Sequence, residues 1–208
     1  MRLLPCGDAA LLAELDDLSE VLALRSAIDA ERDGGGLADV LDVVPAARTV
    51  LVRCHPVVGG LSRVAERLAQ LDVTHHTSDE GPQVEIEVYY DGPDLADVAE
   101  LTGLSEDEVV RLHTEAEWTV AFTGFLPGFG YLVGGDKRLS VPRRDESRTK
   151  VPAGSVGLAG EFTGAYPRES PGGWQLIGRT EAPLWNPDRE QPALLAPGTR
   201  VTFVRAAP

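Results

Sequence analysis

Apolar positions change their period several times along the first third of the chain. Residues 2–15 are mostly apolar but broken by Pro5-Cys6-Gly7-Asp8, which predicts a strand or a small hairpin. Asp17 stands three residues before Glu20, a capping-box spacing, and Val21, Leu24 and Ile28 follow at helical intervals until Gly34-Gly35-Gly36 stops the run. Residues 37–44 and 49–54 are apolar and β-branched on either side of Pro45-Ala46-Ala47-Arg48, so they predict two strands joined by a turn. Leu61, Val64, Leu68 and Leu71 mark a second amphipathic helix. The order β, α, β, β, α predicts an α+β domain of ferredoxin-like type, closed by a further strand.

Residues 74–82 (THHTSDEGP) are polar and end in Gly-Pro, which reads as a linker and divides the chain into domains 1–82 and 83–208. Val84, Ile86, Val88 and Tyr90 then alternate with residues 83, 85, 87 and 89 as in a half-buried strand. Residues 94–101 and 105–114 read as two short helices, the second opened by Ser105 and Glu108 in capping-box spacing. The pair imitates a helix-turn-helix, but its second helix offers Glu106, Asp107 and Glu108 against Arg111, the wrong charge for DNA. From residue 119 onward TVAFTGF, SVGLAG, WQLIGRT and TRVTFVRA alternate with segments rich in Pro and Gly. Closing so many strands into a barrel removes their exposed edges, so a β-barrel is expected.

Composition sharpens this picture. Of 208 residues, 43% are hydrophobic, enough for real cores, and 22 Gly with 15 Pro favour short strands and turns over a helical bundle. The net charge of −14 disfavours a general grip on nucleic acid or anionic lipid. It is unevenly spread: residues 1–120 carry 25 acidic and 8 basic side chains, residues 121–208 carry 8 and 11. An anionic ligand therefore belongs to the second half. Cys6 and Cys54 are too few for a disulfide framework and read as buried thiols of a cytoplasmic protein. The opening Leu3-Leu4-Pro5-Cys6 lacks the apolar run of a lipoprotein leader, and no stretch approaches a membrane span.

Two segments concentrate candidate chemistry. Residues 124–131 (GFLPGFGY) hold Phe125 and Phe129 among glycines; Pro127 and the bulky rings do not suit a dinucleotide loop, leaving either a rigid plug of the core or an aromatic wall for a ligand. Residues 137–150 hold six basic side chains, Arg143 and Arg148 among them, either as a solvated charge run or as forks for a carboxylate or phosphate. The VPAGSVGLAG that follows brings glycines and Ser155 near, the latter as hydrogen-bond donor or, without the strand-to-helix elbow, less suitably as nucleophile. Arg143, Arg148 and Ser155 are expected around one anion. Trp174 follows the turn Ser170-Pro171-Gly172-Gly173 and either anchors the core or lines a pocket. His113 is a candidate base or a structural histidine, and Cys54, His55, His75 and His76 lack the spacing of a metal site on one regular element.

Taken together GFLPGFGYL, VPRR, VPAGSVGLAG, TGAYP, SPGGWQLIGRT and LLAPGTRVTFVR resemble the allophanate hydrolase subunit 1 family, which includes the B subunits of bacterial 5-oxoprolinase and Kip-type sporulation kinase inhibitors. The resemblance implies an N-terminal α+β domain and a cyclophilin-like β-barrel. It implies ATP-dependent amide hydrolysis, of 5-oxoproline or allophanate, by a non-autonomous subunit. The partner implied is a second, homologous-barrel subunit from the family of allophanate hydrolase subunit 2 and the 5-oxoprolinase C subunits, with ATP and Mg bound by the assembled complex. Arg143, Arg148, Ser155, Tyr166 and Trp174 match the family pattern, and with Phe125 and Phe129 they form the expected substrate site. Phe162 stands where the family usually has glutamine, which leaves the choice between the two substrates open. A regulator that binds and inhibits a sensor histidine kinase is the alternative function.

Overall fold

The computed structural model describes residues 1–56, 59–73 and 81–207. The chain forms two compact units, Met1–Asp79 and Glu80–Pro208.

In the first unit, β1 (Arg2–Pro5) and β2 (Ala10–Glu14) form the predicted hairpin, followed by α1 (Leu18–Asp33), β3 (Val40–Pro45), β4 (Thr49–Cys54) and α2 (Gly60–Leu68). The Asp17 carboxylate accepts from the Glu20 N–H at 3.0 Å and starts α1 as its spacing predicts. The sheet is antiparallel in the order β1-β2-β4-β3. This departs from the expected ferredoxin-like arrangement. Among the described residues, the place beside β2 that a closing strand after α2 would take is held by β1, whose tight turn makes it the cheapest neighbour for β2. One sheet face buries Ala13, Val50 and Val52 against Val21, Leu24, Ile28, Val64 and Leu68 of the helices. His75 and His76, which lack the spacing of a metal site, lie outside the described residues, as does most of the expected linker. Cys54 is buried and Cys6 exposed, both as free thiols, so only Cys54 is a core thiol.

In the second unit β5 (Gln83–Val88) is followed by α3 (Leu95–Thr102) and α4 (Glu106–Glu115), then by β6 (Trp118–Thr123), β7 (Gly130–Val133), β8 (Arg148–Val151), β9 (Ser155–Ala159), β10 (Phe162–Ala165), β11 (Ser170–Gly172), β12 (Gln175–Arg179) and β13 (Arg200–Arg205). Seven strands form one sheet in the order β12-β9-β10-β7-β6-β13-β5. Its two edges meet at one antiparallel bridge, where Tyr89 and Arg179 exchange N–H···O=C bonds of 2.8 and 2.9 Å, so the sheet is a nearly closed barrel. The first strand of the unit lies parallel to its last, β5 on β13, an arrangement that needs the long crossover running through the intervening elements. The α3–α4 pair turns its apolar faces, including Val98, Val109 and Leu112, into the barrel core with Ile86, Leu132, Ile177 and Phe203. The strands β7, β8, β10 and β11 lie in segments too short or too rich in Gly and Pro to show a period. No helix among the described residues is long and apolar enough to cross a membrane.

His113 is fully buried in this core. Thr163 Oγ1 donates to the Gly157 carbonyl at 3.1 Å, so it accepts from His113 Nε2 at 2.8 Å; Nδ1 then accepts from the Tyr90 hydroxyl at 2.8 Å. Burial pushes the imidazole pKa down to about 3, and the residue is a neutral structural bridge rather than a base.

Candidate functional site

A second apolar cluster stands apart from the barrel core. Phe129, Tyr166, Trp174, Val151, Ala159 and Leu176 are buried together, with Leu126, Tyr131 and Phe162 packed against them. The rings meet edge to face: Phe129 lies 5.1 Å from Tyr166 and 5.3 Å from Trp174, at interplanar angles of 75° and 86°. Their positions come from the ends of strands. Phe125 and Phe129 belong to the turn between β6 and β7, Tyr166 follows β10, and Trp174 sits between β11 and β12. Gly172 is required here, because a Cβ at that position would stand 2.5 Å from the Tyr166 hydroxyl.

On this cluster opens a pocket of about 220 Å³ lined by Phe125, Phe129, Tyr131, Arg143, Ser147, Tyr166 and Trp174 together with Pro171, Gly172 and Gly173. Its volume corresponds to roughly seven waters. Arg143 is its one charged lining residue, exposed and without an ion pair or side-chain hydrogen bond among the described residues. Burial pushes the Tyr166 phenol up to about 12, against the opposing pull of Arg143 and the Trp174 backbone N–H; burial raises Tyr131 likewise. Both phenols are therefore neutral donors near neutral pH. A free guanidinium, two neutral hydroxyls and aromatic walls suit a small flat molecule bearing a carboxylate.

Phe125 carries strain. Its φ of 66° is the one positive value among the described non-glycine residues, and the Leu126 N–H closes a three-residue turn around it by donating to the Gly124 carbonyl at 2.7 Å. The ring is 56% exposed, edge-on to Phe129 and Tyr166 at the pocket.

Of the seven expected site residues, five line this pocket: Phe125, Phe129, Arg143, Tyr166 and Trp174. Arg148 and Ser155 do not. Arg148 lies on β8 and points its guanidinium at Asp94, Nη2 to Oδ1 at 2.6 Å, while Arg144 reaches the same oxygen at 2.8 Å. Ser155 is buried at the start of β9 and reaches the site through its backbone, its carbonyl accepting the Tyr166 N–H at 2.9 Å. Gathering Arg143, Arg148 and Ser155 around one anion is thus corrected by the structure: a carboxylate within the chain already occupies Arg148. Phe162 packs edge-on against Phe122 and Tyr131, each at 5.7 Å, and backs the aromatic cluster without lining the pocket.

Asp94 was not singled out in the sequence. At the predicted start of a helix an aspartate reads as a cap, but this one makes no side-chain cap bond to α3. It is only 1% exposed; besides the two guanidinium contacts at Oδ1, its Oδ2 accepts the Leu176 N–H at 2.7 Å. The signal was the unusual density of arginine 50 residues further on, in an otherwise acidic protein. A larger cavity of about 570 Å³ beside Trp118, Asp136 and Lys137 offers less chemistry, since Asp136 is already held by Arg138 at 2.7 Å, a contact that keeps its carboxyl at about 2. Among the described residues no three His, Cys, Asp or Glu side chains converge to hold a metal.

Comparison with known proteins agrees with this architecture. Residues 1–195 match the family described as "Carboxyltransferase domain, subdomain C and D". The B subunit of the 5-oxoprolinase of Escherichia coli O157:H7 is 43% identical over 173 residues, which are 81% of this chain and 79% of that protein. The crystal structure of TTHA0988 superposes with a TM-score of 0.77 at 34% identity, covering 96% of this chain but 40% of that one. The Kluyveromyces lactis urea carboxylase shares the fold, with a TM-score of 0.74 at 18% identity over 99% of this chain and 22% of that one.

Proposed function

From the premise that the chain belongs to the carboxyltransferase-domain family of subdomains C and D, the family of the 5-oxoprolinase B subunits, we propose that it is a non-autonomous, cytoplasmic subunit of an ATP-dependent amide hydrolase acting on 5-oxoproline. Its partner is a second subunit from the family of the 5-oxoprolinase C subunits and allophanate hydrolase subunit 2. The second unit is its cyclophilin-like barrel, and the aromatic pocket is its substrate site. The single observation that carries this reading is Arg143, a guanidinium with no ion pair among the described residues at a pocket walled by aromatic rings.

The roles of the side chains follow from their chemistry. Arg143 pairs with the substrate carboxylate, and the bidentate fork fixes its orientation. The rings of Phe125, Phe129 and Trp174 cover the flat amide and keep water from the bound face. The neutral hydroxyls of Tyr131 and Tyr166 donate to an amide oxygen and stabilise the charge that develops there as the carbonyl is attacked. A pocket of this volume with one cation does not fit a nucleoside triphosphate and its magnesium. ATP is accordingly assigned to the assembled complex.

Co-expression with the second subunit should give a stable hetero-oligomer, and the purified assembly, supplied with a third subunit, should hydrolyse ATP when given L-5-oxoproline. The chain alone should be inactive. Robust turnover by the partner-free chain, or an assembly that responds to allophanate and ignores 5-oxoproline, would overturn the proposal.

A further inference from the structure

The two walls of the pocket are tied together behind it by a single buried carboxylate. Arg143 and Ser147 come from the segment between Val141 and β8, whereas Trp174 stands immediately before β12. Asp94 reaches both. Its Oδ1 accepts from Arg144, the chain neighbour of Arg143, and from Arg148, the next residue after Ser147. Its Oδ2 accepts from the backbone of Leu176, two residues beyond Trp174. Three other ties run alongside: β8 pairs with β11, Arg148 opposite Gly172, the Arg144 N–H donates to the Gly173 carbonyl at 2.8 Å, and Gln175 Nε2 donates to the Pro142 carbonyl at 3.3 Å.

The surroundings make Asp94 decisive among these ties. It is 1% exposed, so its interactions are little screened by solvent, and a buried carboxylate holds its partners more firmly than an exposed pair does. Asp97 also approaches Arg144, Nη1 to Oδ2 at 4.0 Å, but it is largely exposed and so holds the guanidinium less firmly than Asp94 does.

We infer that Asp94 is a positioning residue for substrate binding: through Arg144, Arg148 and the Leu176 amide it sets the separation between Arg143 and Trp174. It touches no substrate. The inference rests on the reading of the aromatic pocket as the carboxylate site, and it predicts an effect on substrate binding that passes through Arg143.

The test is a double-mutant cycle in the assembled enzyme with L-5-oxoproline as the probe. Asp94→Asn keeps the shape and removes the charge, and it should raise KM about 10-fold with kcat within threefold of wild type, because a misplaced guanidinium weakens capture without altering the chemical step. In the Arg143→Ala background the same substitution should add less than about twofold, since the side chain through which Asp94 acts is gone. If Asp94→Asn does not fold, Arg148→Lys carries the test, with the same KM effect, smaller, and the same loss of effect in the Arg143→Ala background. Wild-type KM in the folded variants overturns the inference, as does a fall in kcat alone that tracks the folded fraction, or full additivity with Arg143→Ala. Wild-type kinetics for Arg143→Ala itself would instead overturn the reading of the pocket.

Discussion

Arg143 and Arg148 lie five residues apart in the same basic segment, yet one is free at an aromatic pocket and the other is held by a buried carboxylate. Their side chains are chemically identical. The difference lies in what the fold places opposite each: Asp94, from the start of α3, meets Arg148 and Arg144, whereas nothing among the described residues meets Arg143. A run of basic residues thus meets two environments, one beside a buried carboxylate and one beside aromatic rings. An arginine that already shares a carboxylate has less to offer a ligand, even though Arg148 keeps one nitrogen without a partner, and on the proposed reading Arg143 retains its capacity for a carboxylate.

Four measurements test this contrast. The largest effect belongs to the structural side. Asp94→Ala removes the buried partner of two partly exposed guanidiniums and should destabilise the second unit by about 3 kcal/mol in denaturant unfolding, the low end for a broken buried pair because both arginines keep some contact with water; a loss below about 1 kcal/mol would make the cluster a surface feature. Arg143→Ala should do the opposite, leaving the unfolding midpoint unchanged while lowering kcat/KM of the assembled enzyme roughly 10- to 150-fold, the equivalent of a charged hydrogen bond worth about 1.5–3 kcal/mol. Arg143→Lys should recover little of it, because an ammonium lacks the fork.

Protons provide a third probe. The His113 pKa falls from its ordinary value of 6.5 to about 3 in the folded chain because burial disfavours the cation. The unfolded state therefore binds the extra proton, and stability present above pH 6.5 is lost as pH falls toward 3, at up to about 1.4 kcal/mol per pH unit. Replacing His113 by Gln should flatten that part of the stability curve, and an unchanged slope would show that other groups control acid unfolding. The smallest effect is expected in the first unit. Asp39, half-buried and paired with Arg63 at 2.8 Å, and Glu66, exposed on α2, should tolerate alanine with turnover within about threefold of wild type; a hundredfold loss in a folded variant would move chemistry into that unit.

Much of the architecture is legible in the pattern of residues because it depends on neighbours close along the chain. Asp17 and Ser105 start helices by bonding groups three residues away, and the alternation of Val84, Ile86 and Val88 makes β5 a strand wherever it lies. The aromatic segment and the basic segment also declare themselves, since rings and charges at such density are unusual whatever the fold. Other features depend on partners far away in sequence. That β1 rather than a later strand flanks β2, that β13 lies parallel to β5, and that Tyr89 and Arg179 nearly close the barrel are decisions among competing edges. Composition and spacing established which residue types were at hand: an aromatic segment at 124–131, six basic side chains at 137–150 and an acidic first half. Folding settled that Asp94, 50 residues before Arg144, takes two arginines and leaves Arg143 without an ion pair among the described residues, because an ion pair forms by distance in space, and sequence composition contains no distances.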